Sequence, residues 1–161
     1  MRKRISALLV TLAVAIILPA AAIAHWPVAD RYSWVSQGYW SGHRAYDIAA
    51  PMGTTVTPLR SGKVIFAGWR SNCGGYQVWV SHGNGLYSAY YHLERGTIAV
   101  YKGKWVTVDK TRLARVGQSG CATGAHVHVE VWRGWPWASG SYRVSPWYYI
   151  DSGTWLPYRY R

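Results

Sequence analysis

The chain has 161 residues, with 18 Lys and Arg against 6 Asp and Glu, and a formal net charge of +12. Half of it is apolar, which excludes a disordered chain, and the length suits a single domain. Two Cys are too few for a disulfide-dense mini-scaffold, and one Phe against 11 Trp and 13 Tyr points to aromatic side chains used at a wet, ligand-facing surface as well as in a core.

Arg2, Lys3 and Arg4 form a basic start, and an apolar run follows from Ile5 to Ala24, closing on Ala22-Ile23-Ala24. Charged start, apolar middle and small-residue exit describe a secretory signal peptide over residues 1–24. The mature domain would then be residues 25–161, secreted and extracytoplasmic. The alternative is an uncleaved N-terminal anchor, because a run of about 20 apolar residues is long enough to span a bilayer. Export places Cys73 and Cys121 where a disulfide can form between them.

After residue 24 helical periodicity is nearly absent. Short runs rich in Val, Tyr and Trp alternate with Gly, Pro, Ser and Asn, which is a β signature. Strands are predicted from Gly62 to Trp69, Tyr76 to His82 and Leu86 to His92. Gly83-Asn84-Gly85 joins the last two as a hairpin. Trp105 to Val108, Leu113 to Val116 and His126 to Trp132 follow. In the last strand His126, His128 and Glu130 share one face, and Val127, Val129 and Val131 share the other. The aromatic, Pro-containing tail from Gly134 to Arg161 is expected to be ordered. The mature unit reads as one all-β domain.

Four of the six His fall in informative places. His43 and Asp47 form a His-x-x-x-Asp pair. His126 and His128 form a His-x-His pair on one strand face, and His92 ends a neighbouring strand. Imidazole and carboxylate together make an N,N,O donor set suited to zinc. Three protein ligands leave a fourth position for water, whose pKa a zinc ion lowers to about 7. A spare His has the right basicity to move protons. The residues suffice for metal-assisted hydrolysis, but spacing alone leaves open which three of the five groups bind.

These residues resemble the lysostaphin-like (LytM-type) zinc metallopeptidases that cut peptidoglycan. The matching pieces run from about Gln37 to Trp132. They are the block from His43 through Asp47 to Ile48-Ala49-Ala50-Pro51, then Gly53-Thr54-Thr55-Val56, Ser61-Gly62-Lys63-Val64 and Ser81-His82-Gly83-Asn84-Gly85-Leu86. Tyr91-His92-Leu93, Val116-Gly117-Gln118-Ser119-Gly120 and Thr123-Gly124-Ala125-His126-Val127-His128-Val129-Glu130 complete the series, with a weaker echo at Val144 to Tyr149. The resemblance implies a small antiparallel β-sheet domain of the duplicated hybrid motif type, with its site in a groove across the sheet. It implies His43, Asp47 and His128 as ligands of one Zn²⁺, with His92 and His126 as the catalytic pair. Which of the two takes the water's proton stays open. Ala45 and Val129 stand where the family often has Gly and an aromatic residue, and neither position touches a metal-binding or proton-moving group.

Tyr39, four residues before His43, is a candidate substrate donor. Glu130 is a candidate for orienting a ligand His, with a purely structural role as the alternative. His82 and His25 are expected to be structural and surface residues. A Cys73–Cys121 bridge would brace the catalytic strand. The basic surplus fits peptidoglycan and anionic wall polymers as partners, with no nucleic acid expected and a monomer as the expected state. The resulting expectation is a secreted zinc metalloendopeptidase acting on stem peptides or cross-bridges. A non-catalytic wall-binding or activator domain and a cupin-like Fe(II) oxygenase are the alternatives.

Overall fold

A computed structural model describes residues 25–29 and 32–150. The predicted signal peptide, and the end of the tail beyond residue 150, lie outside the described residues.

The described chain is built from ten strands and one short 3₁₀ turn. In chain order the strands are β1 (Trp34–Gln37), β2 (Tyr46–Ala49), β3 (Thr55–Val56), β4 (Gly62–Arg70), β5 (Gly75–Ser81), β6 (Leu86–Leu93), β7 (Trp105–Val106), β8 (Ala114–Arg115), β9 (His126–Arg133) and β10 (Tyr142–Val144). The 3₁₀ turn is Pro146–Tyr149. Seven strands form a continuous antiparallel sheet in the order β1-β2-β9-β6-β5-β4-β7, with β10 pairing the rest of β9. β3 and β8 form a separate pair.

The long predicted strands occur within a residue or two of their expected bounds. The strand expected at Trp105 to Val108 shortens to two residues, and that at Leu113 to Val116 reduces to Ala114–Arg115. β1, β2, β3 and β10 are additional; they are two to four residues long, too short for an alternation pattern to register. Gly83-Asn84-Gly85 makes the β5–β6 turn with all three residues at positive φ, a run that Gly and Asn tolerate best.

The core lies on one side of the sheet. Val127, Val129 and Val131 of β9 face it with Tyr90, Val78, Val80, Val64 and Ile48. Leu59, Val56, Leu113, Ala114 and Val116 close it from beyond the sheet. Within this core the Tyr90 hydroxyl accepts from the Leu59 main-chain N–H (2.6 Å), and it lies 2.9 Å from the Ser88 hydroxyl. His82 Nε2 sits 2.8 Å from Ser88 and Nδ1 donates to the Ser61 carbonyl (3.1 Å). His82 is thus a structural tie between Ser61, the residue that precedes β4, and Ser88 of β6. Burial is the main force lowering its pKa to about 4, so it stays neutral.

The opposite face carries Trp79, Ala89 and Tyr91 as a second, smaller buried cluster. Many aromatics nevertheless stay at the surface; Trp34, Trp40, Trp69, Trp105, Trp135 and Trp137 are all exposed. Among the described residues no helix is long and apolar enough to cross a membrane.

Candidate metal centre

The second face also holds the polar constellation, and strand pairing assembles it. β2 lies beside β9 with Asp47 directly opposite His128. β6 lies on the other side with Tyr91 opposite His128. His128 therefore stands between a carboxylate and a phenol ring. His43 arrives from outside the sheet, on a tight turn in which Trp40 and His43 exchange both main-chain hydrogen bonds (2.9 and 3.0 Å). His92, next to last in β6, has φ of +61°, a left-handed backbone that is uncommon for a residue with a side chain. Its ring lies 4.8 Å from that of His126 and 5.9 Å from that of His128.

His43, Asp47 and His128 each aim one donor atom at a common point, all within 4.8 Å of one another. His43 Nε2 is 3.2 Å from Asp47 Oδ2 and 3.4 Å from His128 Nδ1, and His128 Nδ1 is 2.7 Å from Asp47 Oδ1. An ion held tetrahedrally by N and O at about 2.0–2.1 Å has edges of about 3.4 Å. The His43–His128 edge matches, and the two Asp47 distances run to different oxygens of one carboxylate, which can present either oxygen to the ion, so the N,N,O donor set fits zinc. His126 Nε2 is further out, 3.8 Å from Asp47 Oδ1.

Each imidazole has its tautomer set from behind. A carbonyl oxygen only accepts, so the ring nitrogen facing it carries the proton. His43 Nδ1 faces the Gly38 carbonyl (2.9 Å), His92 Nδ1 that of Ser119 (2.8 Å) and His126 Nδ1 that of Gly124 (2.9 Å). All three are left with a free lone pair on Nε2. His128 is turned the other way: its Nε2 faces Glu130 Oε1 at 3.5 Å and its Nδ1 faces the centre. Main-chain acceptors have no side-chain signature, which is why Gly38, Ser119 and Gly124 are invisible to sequence reading.

Glu130 is only 2% exposed and anchors this arrangement. Its carboxylate accepts from the Tyr91 hydroxyl (2.6 Å), the Trp132 indole N–H (2.8 Å) and the Arg143 guanidinium (2.7 Å). Burial alone would raise its pKa, but the bond to His128 and the other donors outweigh that, and the carboxyl stays ionised. Sequence reading assigns no role at the site to Arg143 or Tyr91. The available signal was a lone Glu in a Val- and Trp-rich strand, which demands a cation nearby.

The electrostatics follow from this crowding. Burial works to raise the Asp47 pKa, but the His128 hydrogen bond and the charges of His128, His43 and His126 carry it below its usual value. Burial would lower His128; its bonds to Asp47 and Glu130 win and raise it to about 9. His92 goes the other way, lowered to about 4 chiefly by burial, and is a neutral acceptor at pH 7.

The remaining expected residues fall as follows. Tyr39 donates its hydroxyl to the Arg143 main-chain carbonyl (3.0 Å), so a substrate-donor role would require that bond to break. His25, expected at the surface, is instead partly buried: its side chain lies 2.6 Å from Asp109 and its main-chain N–H donates to the Leu59 carbonyl (2.9 Å). Cys73 and Cys121 are joined in a disulfide. It ties the β4–β5 turn to the loop that carries Ser119. Gly120 makes that closeness possible: at φ of +73° it packs where a Cβ would collide with the Cys73 carbonyl.

A β-sheet face with this convergent His/Asp/His set defines a candidate metallopeptidase centre. The profile of Peptidase family M23 matches residues 41–141, and the chain belongs to that family. Among curated relatives, the peptidoglycan DD-endopeptidase ShyA of Vibrio cholerae is 36% identical over 89 residues, 55% of this chain and 20% of its own length. The DD-carboxypeptidase/endopeptidase Mpg of Neisseria meningitidis is 33% identical over 91 residues, 56% of this chain and 20% of its own. The chain thus spans about a fifth of the length of these relatives. A peptidase M23 structure from Pseudomonas aeruginosa superposes with a TM-score of 0.66 at 32% identity, covering 83% of this chain and 52% of that one. Lysostaphin from Staphylococcus simulans superposes with a TM-score of 0.69 at 22% identity, covering 88% and 61%, which speaks to the fold.

Proposed function

We propose that this chain is an exported, zinc-dependent endopeptidase that hydrolyses amide bonds in the stem peptides or cross-bridges of peptidoglycan. The observation that carries the reading is the convergence of two imidazoles and one carboxylate, His43, His128 and Asp47, on a single point, with His92 and His126 beside it and each ring oriented from behind. Family membership supports it, as does the naming of two relatives as endopeptidases, one of them expressly of peptidoglycan. The basic start and apolar run of residues 2–24 support export.

In this reading His43 Nε2, Asp47 and His128 Nδ1 hold the ion. A bound zinc supplies Lewis acidity toward the scissile carbonyl and an acidified water. The protein's own side chains do the rest. His92 and His126 flank the centre with unprotonated Nε2 atoms. One accepts the proton from the attacking water while the oxygen bonds to the carbonyl carbon. The C–N bond then breaks, and a proton passes from imidazolium to the leaving amine. The other imidazole, when charged, offsets the negative charge developing on the carbonyl oxygen. Glu130 holds His128 in register by accepting its Nε2–H. The surplus of Lys and Arg over Asp and Glu, which persists after residue 24, draws the enzyme to anionic wall polymers.

The test is digestion of purified sacculi of several cross-link chemotypes by zinc-loaded protein. New free amino termini, identified by mass spectrometry of the released muropeptides, are the expected result. Binding without release on every chemotype would overturn the reading in favour of a wall-binding domain.

A further inference from the structure

Two arginines lie on the same sheet face as the metal centre, and they differ in one respect. Arg143 is ion-paired to Glu130 at 2.7 Å and stacks over Trp132 and Trp137 at 5.3 and 5.6 Å. Arg70, at the end of β4, is likewise seated on two rings, Trp79 at 4.9 Å and Phe66 at 5.6 Å. Among the described residues, however, no carboxylate pairs with Arg70. Its charge is held in place by aromatic faces, which fix the guanidinium without consuming its hydrogen-bond donors.

Arg70 also lines a cleft of about 260 Å³ together with Trp69, Ser71, Cys73, Gly120 and Cys121. The far wall of this cleft, at Gly120 and Cys121, continues directly from Ser119, whose carbonyl orients His92. The opposite wall is the β4–β5 turn, and the Gly74 carbonyl of that turn accepts the His92 main-chain N–H (2.9 Å). The cleft is therefore framed by the two segments that position His92. Arg70 pairs with Gly75 across β4–β5, and Tyr76 with Leu93 across β5–β6, so Arg70 stands at the end of the sheet where His92 lies. From β4 to β9 is three strand spacings, roughly 14 Å, which an extended peptide covers in about four residues.

We infer that Arg70 and this cleft form a substrate subsite that binds a free carboxylate of the peptidoglycan peptide, within about four residues of the bond that is cut. Planar bidentate recognition is what a pre-placed guanidinium does best, and Ser71 supplies a hydroxyl on the same cleft wall. Stem peptides carry such carboxylates on glutamate and on the diamino acid. Enzymatic amidation of either removes the charge while conserving shape, so the subsite would make the enzyme sensitive to the amidation state of the wall. The inference rests on the peptidoglycan reading above and narrows it to acidic peptides.

The test uses defined muropeptides with the free acid, with the glutamate carboxyl amidated, or with the diamino-acid carboxyl amidated. Binding to the full zinc-loaded chain is followed by calorimetry, and cleavage by chromatography. The free acid is expected to bind roughly tenfold to a hundredfold more tightly than one of the two amides, and which amide fails tells which carboxylate is read. Arg70→Gln is expected to bring the acid-to-amide ratio to about one, and Arg70→Lys to leave it intermediate. A folding defect would weaken acid and amide alike, so the ratio separates recognition from stability. Equal binding of acid and both amides by the unaltered protein overturns the inference, as does a ratio unchanged in Arg70→Gln. Acid-selective binding that depends on Arg70 but comes with no cleavage supports the subsite and overturns the hydrolase reading instead.

Discussion

Replacing Glu130 by Gln tests how the site is held. The carboxylate has about four lone-pair positions, and four donors converge on it: the Tyr91 hydroxyl, the Trp132 indole, an Arg143 N–H and the His128 ring N–H. An amide of the same size keeps two lone pairs and presents two donors of its own. Two donors are then left facing donors in a place that is 2% exposed. At about 1–3 kcal/mol for each buried group left unsatisfied, the loss is roughly 2–6 kcal/mol. For a domain of this size that lowers Tm by roughly 8–20 °C. Calorimetric unfolding of the zinc-free proteins measures it. In the zinc-loaded state the same change weakens the hold on His128, and affinity for zinc should fall about tenfold to a hundredfold in a competitive chelator titration. A Glu130→Gln variant that unfolds within about 2 °C of the parent and binds zinc within twofold would refute the reasoning. The carboxylate would then be a spectator.

The remaining expectations concern separate parts of the molecule. His128→Ala should lose both zinc and activity, whereas His92→Ala or His126→Ala should keep stoichiometric zinc by metal analysis and lose about 10²–10⁴ in kcat; a fully active His92→Ala variant would remove that residue from the reaction. His82 is neutral in the fold, with a pKa of about 4 against 6.5 in the unfolded chain, so the unfolded state binds the extra proton between those values. Its share of stability is complete above pH 6.5, is lost as pH falls toward 4 and totals about 3 kcal/mol. Denaturant midpoints for His82→Asn should accordingly lose that much of the slope between pH 6.5 and 4, and parallel curves for the two proteins would contradict it. Removing the disulfide by Cys73→Ser with Cys121→Ser opens a loop with a sequence separation of 48 and should cost about 4 kcal/mol in unfolding free energy. The same pair of changes should lower kcat, because the loop bearing the Ser119 carbonyl is then less firmly placed behind His92.

Sequence by itself determined a great deal here. The Gly83-Asn84-Gly85 turn and the alternation of β9 are local effects, set by backbone freedom and a period of two. They place His126, His128 and Glu130 on one face before any partner strand is known. The residue types of the constellation likewise establish what chemistry is available. The choice among those residues belonged to tertiary structure. His43, Asp47, His92 and His128 are separated by up to 85 positions, and only the placement of β2 and β6 on either side of β9 brings them together. The short strands β1, β2, β3 and β10 carry too few residues to show a pattern and exist because neighbours pair with them. Tautomers, too, were decided in three dimensions. A carbonyl from Gly38, Ser119 or Gly124 orients a ring through a main-chain atom that every residue possesses, so composition is silent about it. The same reason hid Arg143, whose role arises only when the hairpin from β9 to β10 folds its charge back onto Glu130.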